Sequence, residues 1–224
     1  MRILAIETST DACSAALLID NECYERYELA PKQHTLIILS QVKVLLADAG
    51  LCFNQLDAIA FGCGPGAFTG LRIATGVAQG LAYGADLPVI PVSSLAALAQ
   101  GAFRRYQAQS ILVAQDARMS EVYWACYQIK NGTANLLGEE ALGSPSSVQL
   151  DFDGAWAGVG SGWRKYNELM LQQTGMPEQG CFSDLYPRSE DVAYLAQLYY
   201  SRNEICSAEV ATPTYLRNQV VQKK

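Results

Sequence analysis

The residues best suited to chemistry in this chain of 224 residues lie in a few short runs. Gly62-Cys63-Gly64-Pro65-Gly66-Ala67-Phe68-Thr69-Gly70-Leu71-Arg72 follows a run that reads as a strand and opens one that reads as a helix. Free backbone N–H groups and the positive end of a helix dipole suit an anion at such a place. The run is not a P-loop, because no Lys-Ser/Thr pair sits five residues after any of its glycines. Gly62, Gly64 and Ala67 fit the dinucleotide fingerprint G-x-G-x-x-A. That fingerprint needs an acid at the end of the next strand to hold the ribose, and this one ends Val92-Ser93-Ser94. The competing reading is a tight turn in which Gly and Pro let backbones approach closely.

Asp116, Arg118 and Glu121 form a second charged cluster near the expected cleft. They read either as a substrate or partner contact, or as an Asp–Arg pair pinning a hairpin turn. His34 is the single histidine, so neither a zinc protease site nor a Ser-His-Asp triad has enough parts. Trp156 and Trp163 read as core aromatics rather than an RNA-stacking surface. Seven cysteines, none in a C-x-x-C pair, supply no disulfide framework and point to a reduced, cytoplasmic protein.

The composition bounds the rest. The chain is 50% hydrophobic and 17% charged, which fits a folded domain with a sizeable core. Its net charge of −6 makes it a poor nucleic-acid binder alone, since phosphate neutralisation supplies most of that affinity. No apolar run approaches the ~20 residues that a membrane helix needs.

The elements that must position these residues repeat. Strands are expected at 3–6, 13–19 and 23–29, a helix at 35–46, a strand at 58–61, a helix at 68–85, a strand at 89–92, and a helix capped by Ser93. The second half offers strands at 111–115, 121–129 and 133–137, with Asn131-Gly132 as a hairpin turn. A strand at 155–159, a helix after Ser161 and a helix at 189–202 follow. The order βββ-α-β-α thus occurs twice, predicting an α/β fold of two lobes with mixed sheets, 1–106 and 107–224, and a cleft between them.

Two helices carry a further signal. In 68–85, Ala74, Ala78 and Ala82 form one row and Gly76, Gly80 and Gly84 another, about 200° apart on the helical wheel. Each interior glycine costs about 1 kcal/mol relative to Ala, so small residues on both sides predict close packing on both sides. Helix 35–46 has eight apolar residues in twelve, spread nearly all round. The pair predicts an exposed patch that needs a partner, with Ile38, Gln41, Leu45, Arg72, Thr75, Gly76, Gln79, Gly80 and Tyr83 at the interface.

These residues resemble a known family. Ile3-Leu4-Ala5-Ile6-Glu7-Thr8-Ser9, Gly64-Pro65-Gly66-Ala67-Phe68-Thr69-Gly70-Leu71-Arg72 and Asp116-Ala117-Arg118-Met119-Ser120-Glu121-Val122-Tyr123 look like the TsaB (YeaZ) family, and the likeness runs on to Tyr215-Leu216-Arg217-Asn218. The resemblance implies an actin-like, sugar-kinase-like (ASKHA) fold. It implies a part in forming N6-threonylcarbamoyladenosine (t6A) at position 37 of tRNAs that read ANN codons. In that system TsaC makes threonylcarbamoyl-AMP, the paralogue TsaD transfers the group, and TsaE joins as an ATPase. TsaB-type chains pair with TsaD through helices of the N-terminal lobe, and form a homodimer when alone. They reach tRNA only through the complex.

The resemblance also implies where chemistry would sit. ASKHA enzymes clamp ATP phosphates with two hairpin turns. Here the first, Glu7-Thr8-Ser9-Thr10, is acceptable, while the second, Gln115-Asp116-Ala117-Arg118, lacks the usual glycines. Gly158, Gly160 and Gly162 sit in the turn where relatives hold adenosine. TsaD-like relatives bind a metal with two histidines on one helix, which this chain lacks. The expectation is a non-catalytic scaffold with no cofactor or metal of its own, ATP or ADP entering only in the assembled complex. The alternative is an ATPase or small-molecule kinase acting by itself, for which Glu7 and the 158–162 turn would matter. Lys223, Lys224 and Arg217 give the C-terminus a slight positive bias, too small to bind tRNA alone.

Overall fold

The computed structural model describes residues 1–150 and 154–217; Asn218, Lys223 and Lys224, used above, lie outside the described residues. Strands β1 (Arg2–Glu7), β2 (Ala12–Ile19) and β3 (Glu22–Leu29) are followed by helix α1 (His34–Asp48), β4 (Ala58–Gly64), α2 (Phe68–Ala85), β5 (Val89–Ser93) and α3 (Ser94–Tyr106). The second half runs β6 (Ser110–Asp116), β7 (Val122–Lys130), β8 (Thr133–Gly143), β9 (Ala157–Val159), α4 (Ser161–Lys165), α5 (Asn167–Thr174), β10 (Cys181–Phe182) and α6 (Ser189–Ser201).

The duplication is explicit in the sheets. The first is ordered β3-β2-β1-β4-β5 and the second β8-β7-β6-β9-β10. Each begins with an antiparallel meander and ends with parallel strands. The copies differ after the third strand. Where the first has α1, the second has a 3-10 turn at Pro145–Ser147.

Local sequence explains the joints. Asp20 and Asn21 between β2 and β3, and Asn131 and Gly132 between β7 and β8, all take positive φ, as tight hairpins with right-handed strand twist require. Ser93 caps α3, its hydroxyl accepting from the amides of Leu95 and Ala96 at 3.1 and 3.2 Å. Strand β1 is apolar on both faces because it lies in mid-sheet, between β2 and β4, with helices above and below.

The layers run α1/α2, first sheet, α3/α6, second sheet, α4/α5. Leu4, Ile6, Leu17, Ile59 and Phe61 face α1 and α2. Ile3, Ala5, Ala16, Leu18 and Ile90 face α3 and α6, which also pack on Ile111, Val113 and Tyr127 of the second sheet. Leu112, Ala114 and Cys126 turn to Trp156, Trp163 and Met170. Trp156 and Trp163 are thus core residues.

The expected lobe boundary at 106/107 falls between α3 and β6. Helix α6, late in the chain, nevertheless covers the first sheet, and the stretch beyond it continues along that sheet. Cys206 bridges to Val89, and the Thr214 amide donates to the Cys63 carbonyl at 2.7 Å.

Candidate functional site

The glycine loop packs backbone against backbone. A Cβ at Gly70 would lie 2.0 Å from the Thr8 carbonyl oxygen, and one at Gly66 would lie 2.6 Å from that of Ser9. The Ala67 amide donates to Ser9 O at 2.8 Å and the Thr8 hydroxyl to Gly70 O at 2.7 Å. The loop after β4 is therefore pressed onto the turn after β1. This is the close-approach reading of its glycines.

The same packing buries Glu7. Its side chain is fully enclosed, with Oε1 accepting from the Ser9 amide at 2.6 Å and Oε2 from the Ser94 hydroxyl at 3.1 Å. Burial raises its pKa, against hydrogen bonds from Ser9 and Ser94 and the charge of His34. His34, the first residue of α1, is itself buried, its Nε2 3.2 Å from the Ala12 carbonyl.

A cleft of ≈ 970 Å³ lies between the lobes, lined by Ser9, Thr10, Phe68, Arg118, Met119 and Tyr215 among others. Asp116 at its edge does not pair with the Arg118 guanidinium, as the sequence suggested. Its carboxylate takes Lys165 Nζ at 3.0 Å and the backbone amide of Arg118 at 3.1 Å. Glu121 pairs with Arg217 at 2.6 Å. Among the described residues no ion pair or hydrogen bond holds the Arg118 guanidinium.

The two N-lobe helices show different outer faces from the one expected. Ile38 and Leu45 sit in the core against the first sheet, and Thr75 is buried with its hydroxyl on the Leu71 carbonyl at 2.8 Å. They are removed from the expected interface, because α1 and α2 turn these positions inward. Gln41 is half-buried near the Cys13 carbonyl, and Gln79 donates to Ala211 O at 2.9 Å. The exposed face carries Leu36 (77% exposed), Leu39 (54%), Val44, Arg72, Gly76, Gly80 and Tyr83 (72%). Ala74, Ala78 and Ala82 are the row that meets the first sheet, while a Cβ at Gly76, Gly80 or Gly84 would touch nothing within 4 Å.

The comparisons match this architecture over its whole length. The model of the TsaD family, tRNA N6-adenosine threonylcarbamoyltransferase, matches residues 26–222. The tRNA threonylcarbamoyladenosine biosynthesis protein TsaB of Escherichia coli is 42% identical over 228 residues, covering 100% of this chain and 98% of the relative. The TsaB of Haemophilus influenzae is 43% identical, covering 100% and 97%. The solved structure of YeaZ from Pseudomonas aeruginosa superposes with a TM-score of 0.90 at 45% identity, covering 96% of this chain and 99% of that one. The chain belongs to the TsaB (YeaZ) family. Its fold is the duplicated ASKHA fold.

In this TsaB-family chain the three glycines of the 158–162 turn are closely packed. A Cβ at Gly158 would lie 2.5 Å from the Trp163 ring, and those at Gly160 and Gly162 would lie 2.6 and 2.9 Å from Ala114 O. Glu7 and Thr8 face inward. Of the weak candidates Glu7, Thr8, Ser9, Gly158, Gly160 and Gly162, Ser9 alone lines the cleft.

Other chemistry also lacks its parts. Among the described residues no group of three or more His, Cys, Asp or Glu is placed to hold a metal. Burial pushes the thiols of Cys13 and Cys23 up to about 12 and that of Cys63 to about 11, so none is a thiolate at neutral pH. No helix among the described residues is long and apolar enough to cross a membrane.

The sequence reading missed Phe68, Met119 and Tyr215 at the cleft mouth. Phe68 and Tyr215 meet with ring centroids 5.6 Å apart and planes tilted by 36°, and the Arg72 guanidinium lies 4.0 Å over the Phe68 ring. The signal available was Phe68 and Arg72 four residues apart on one helix face. Nothing local announces that Tyr215 joins them.

Proposed function

We propose that this chain is the non-catalytic TsaB-type subunit of t6A formation at position 37 of ANN-decoding tRNAs. It heterodimerises with TsaD through the outer face of α1 and α2, and works with TsaE and with TsaC. Alone, it forms a homodimer through the same face. It reaches tRNA only through the complex, in keeping with its net charge of −6. Any ATP or ADP in the assembly is held with groups from a partner. The reaction takes place in the cytoplasm.

The observation that carries this reading is the exposed helix pair. Leu36, Leu39, Val44 and Tyr83 leave an apolar surface uncovered, and the Gly76/Gly80 row beside them admits a second backbone at short distance. The names of the relatives supply the pathway. The rival reading, an ATPase or small-molecule kinase acting by itself, needs Glu7 and the glycines of the 158–162 turn in the cleft, whereas Glu7, Gly158, Gly160 and Gly162 are buried and only Ser161 of that turn lines it.

The test is size-exclusion chromatography with light scattering on the pure chain, then on its mixture with TsaD from the same organism. A homodimer that converts to a mixed dimer is expected. A monomer that ignores TsaD overturns the reading. ATP hydrolysis by the pure chain, lost in Glu7→Ala, would support the rival.

A further inference from the structure

Residues 211–217 run as a strap outside both sheets. One side of the strap is tied to α2. Gln79 Nε2 donates to Ala211 O at 2.9 Å, and Arg72 Nε donates to the Tyr215 hydroxyl at 3.5 Å. The Tyr215 ring packs on Phe68, over which Arg72 also lies. Phe68 and Arg72 begin the row, at spacing four, that Gly76 and Gly80 continue along the exposed face of α2.

Two residues beyond Tyr215, the strap grips the other lobe. Arg217 Nη2 donates to Ala117 O at 3.0 Å, while Nη1 pairs with Glu121 Oε2 at 2.6 Å and lies 3.4 Å from Met119 Sδ. All three partners belong to the 117–121 turn between β6 and β7, which lines the cleft through Ala117, Arg118 and Met119. One short segment therefore holds the first lobe's helix and the second lobe's turn.

The turn it grips is strained. Arg118, Met119 and Ser120 are consecutive non-glycine residues with φ of +63°, +53° and +59°. Side chains disfavour that conformation, and three in a row persist only where the surroundings hold them. The holders are Asp116 on the Arg118 amide, the Ala117–Glu121 backbone pair, and the Arg217 clasp.

We propose that the 211–217 strap couples the outer face of α2 to the 117–121 turn, so that a protein seated on α2 sets the shape of the cleft wall. This rests on the reading that the outer face of α2 receives the partner. The docking surface then has three contributors: α1, α2 and the Tyr215 edge of the strap. A partner lying along Arg72 and Gly76 meets the Phe68–Arg72–Tyr215 cluster. Whatever moves Tyr215 moves Arg217 two residues on, and with it the support of the strained turn and the direction of the unpaired Arg118. The coupling is reciprocal, as any linkage between two sites must be. A molecule that enters the cleft and shifts the turn changes the affinity of the α2 face.

The test is hydrogen–deuterium exchange of peptides spanning 116–122 in the full chain. Arg217→Met removes the clasp, and Phe68→Ala and Arg72→Ala remove the far anchor. Each is expected to speed exchange in that turn about fivefold or more, with peptides from β1 and β2 unchanged as proof of an intact fold. The double variant Arg72→Ala/Arg217→Met should exchange no faster than Arg217→Met alone. Fast exchange in Arg217→Met with wild-type exchange in both α2 variants refutes the coupling, as does no change in any of the three. With TsaD added, the wild-type turn should change its exchange, and Arg217→Met should abolish that change. A complex that leaves the turn unaltered refutes the proposal. Failure of TsaD to bind overturns the functional reading instead, and the isolated-chain variants then decide the coupling by themselves.

Discussion

A Cβ on Gly62 would stand 1.8 Å from Oε2 of Glu7. The glycine and the buried carboxyl share one space, at the point where β1 and β4 end side by side. Neither enclosing strand can retreat, since each is hydrogen-bonded to neighbours on both sides. Gly62→Ala should therefore lower stability by about 1–3 kcal/mol, the range for overpacking a tight core. Chemical denaturation of the variant reads this directly, and an unchanged midpoint would mean that Glu7 swings aside freely.

Glu7 also makes stability depend on pH. Burial raises its folded pKa, so the native state holds the proton more tightly than the unfolded chain does. As pH climbs past the unfolded value of about 4.3, the unfolded chain ionises first and the native state loses stability until Glu7 ionises too. Below that window the effect vanishes. Glu7→Gln carries no such charge, so its stability relative to wild type should rise with pH across the window and then level off. A pH-independent difference between the two would contradict the buried, proton-retaining carboxyl.

The glycine row of α2 separates folding from association. Gly76 and Gly80 are exposed and have nothing within reach of a Cβ. Replacing either by Ala should stabilise the isolated chain, by up to about 1 kcal/mol, through helix propensity alone. Replacing either by Trp should leave the thermal midpoint close to wild type and abolish the mixed dimer with TsaD. Melting curves and light scattering on the same samples check both halves. A Gly76→Trp chain that still pairs would remove the row from the interface.

Helix α1 offers a matching contrast. Leu36 and Leu39 point outward, while Ile38 and Leu45 are core. Leu36→Asp should leave stability nearly untouched and weaken association. Ile38→Ala should cost about 2–5 kcal/mol, the range for truncating a buried aliphatic side chain. Comparable stability losses at the two sites would show that the outer face is not free in the isolated chain.

These contrasts mark where the sequence was readable. Period-two and period-3.6 patterns placed most strands and helices within a few residues. The hairpin turns at Asp20-Asn21 and Asn131-Gly132 and the Ser93 cap followed from side-chain chemistry. The inner face of α1 did not. A helix apolar nearly all round has no preferred side until the sheet beneath it is known, so the sequence alone points Ile38 and Leu45 outward and passes over Leu36 and Leu39. On α2 the two small rows were seen, but only tertiary structure decides that alanines go to the sheet and glycines to the surface. Strand β10 has two residues, too few for any periodicity. The partners of Glu7, at Ser94 and Gly62, are set by strand register and not by spacing along the chain.

The placement of α6 has a consequence for the newborn chain. Val192, Leu195 and Ala196 cover Ile3, Ala5, Ala16 and Leu18, yet they belong to a helix that begins only at Ser189. On the ribosome the part of that inner face which α6 covers therefore stays open until α6 emerges, with α3 alone packed against the sheet. N-terminal domains generally fold during synthesis; here the inner core of the N-terminal half is completed only by α6, and a chain stopped before Ser189 would leave part of that face open to aggregation.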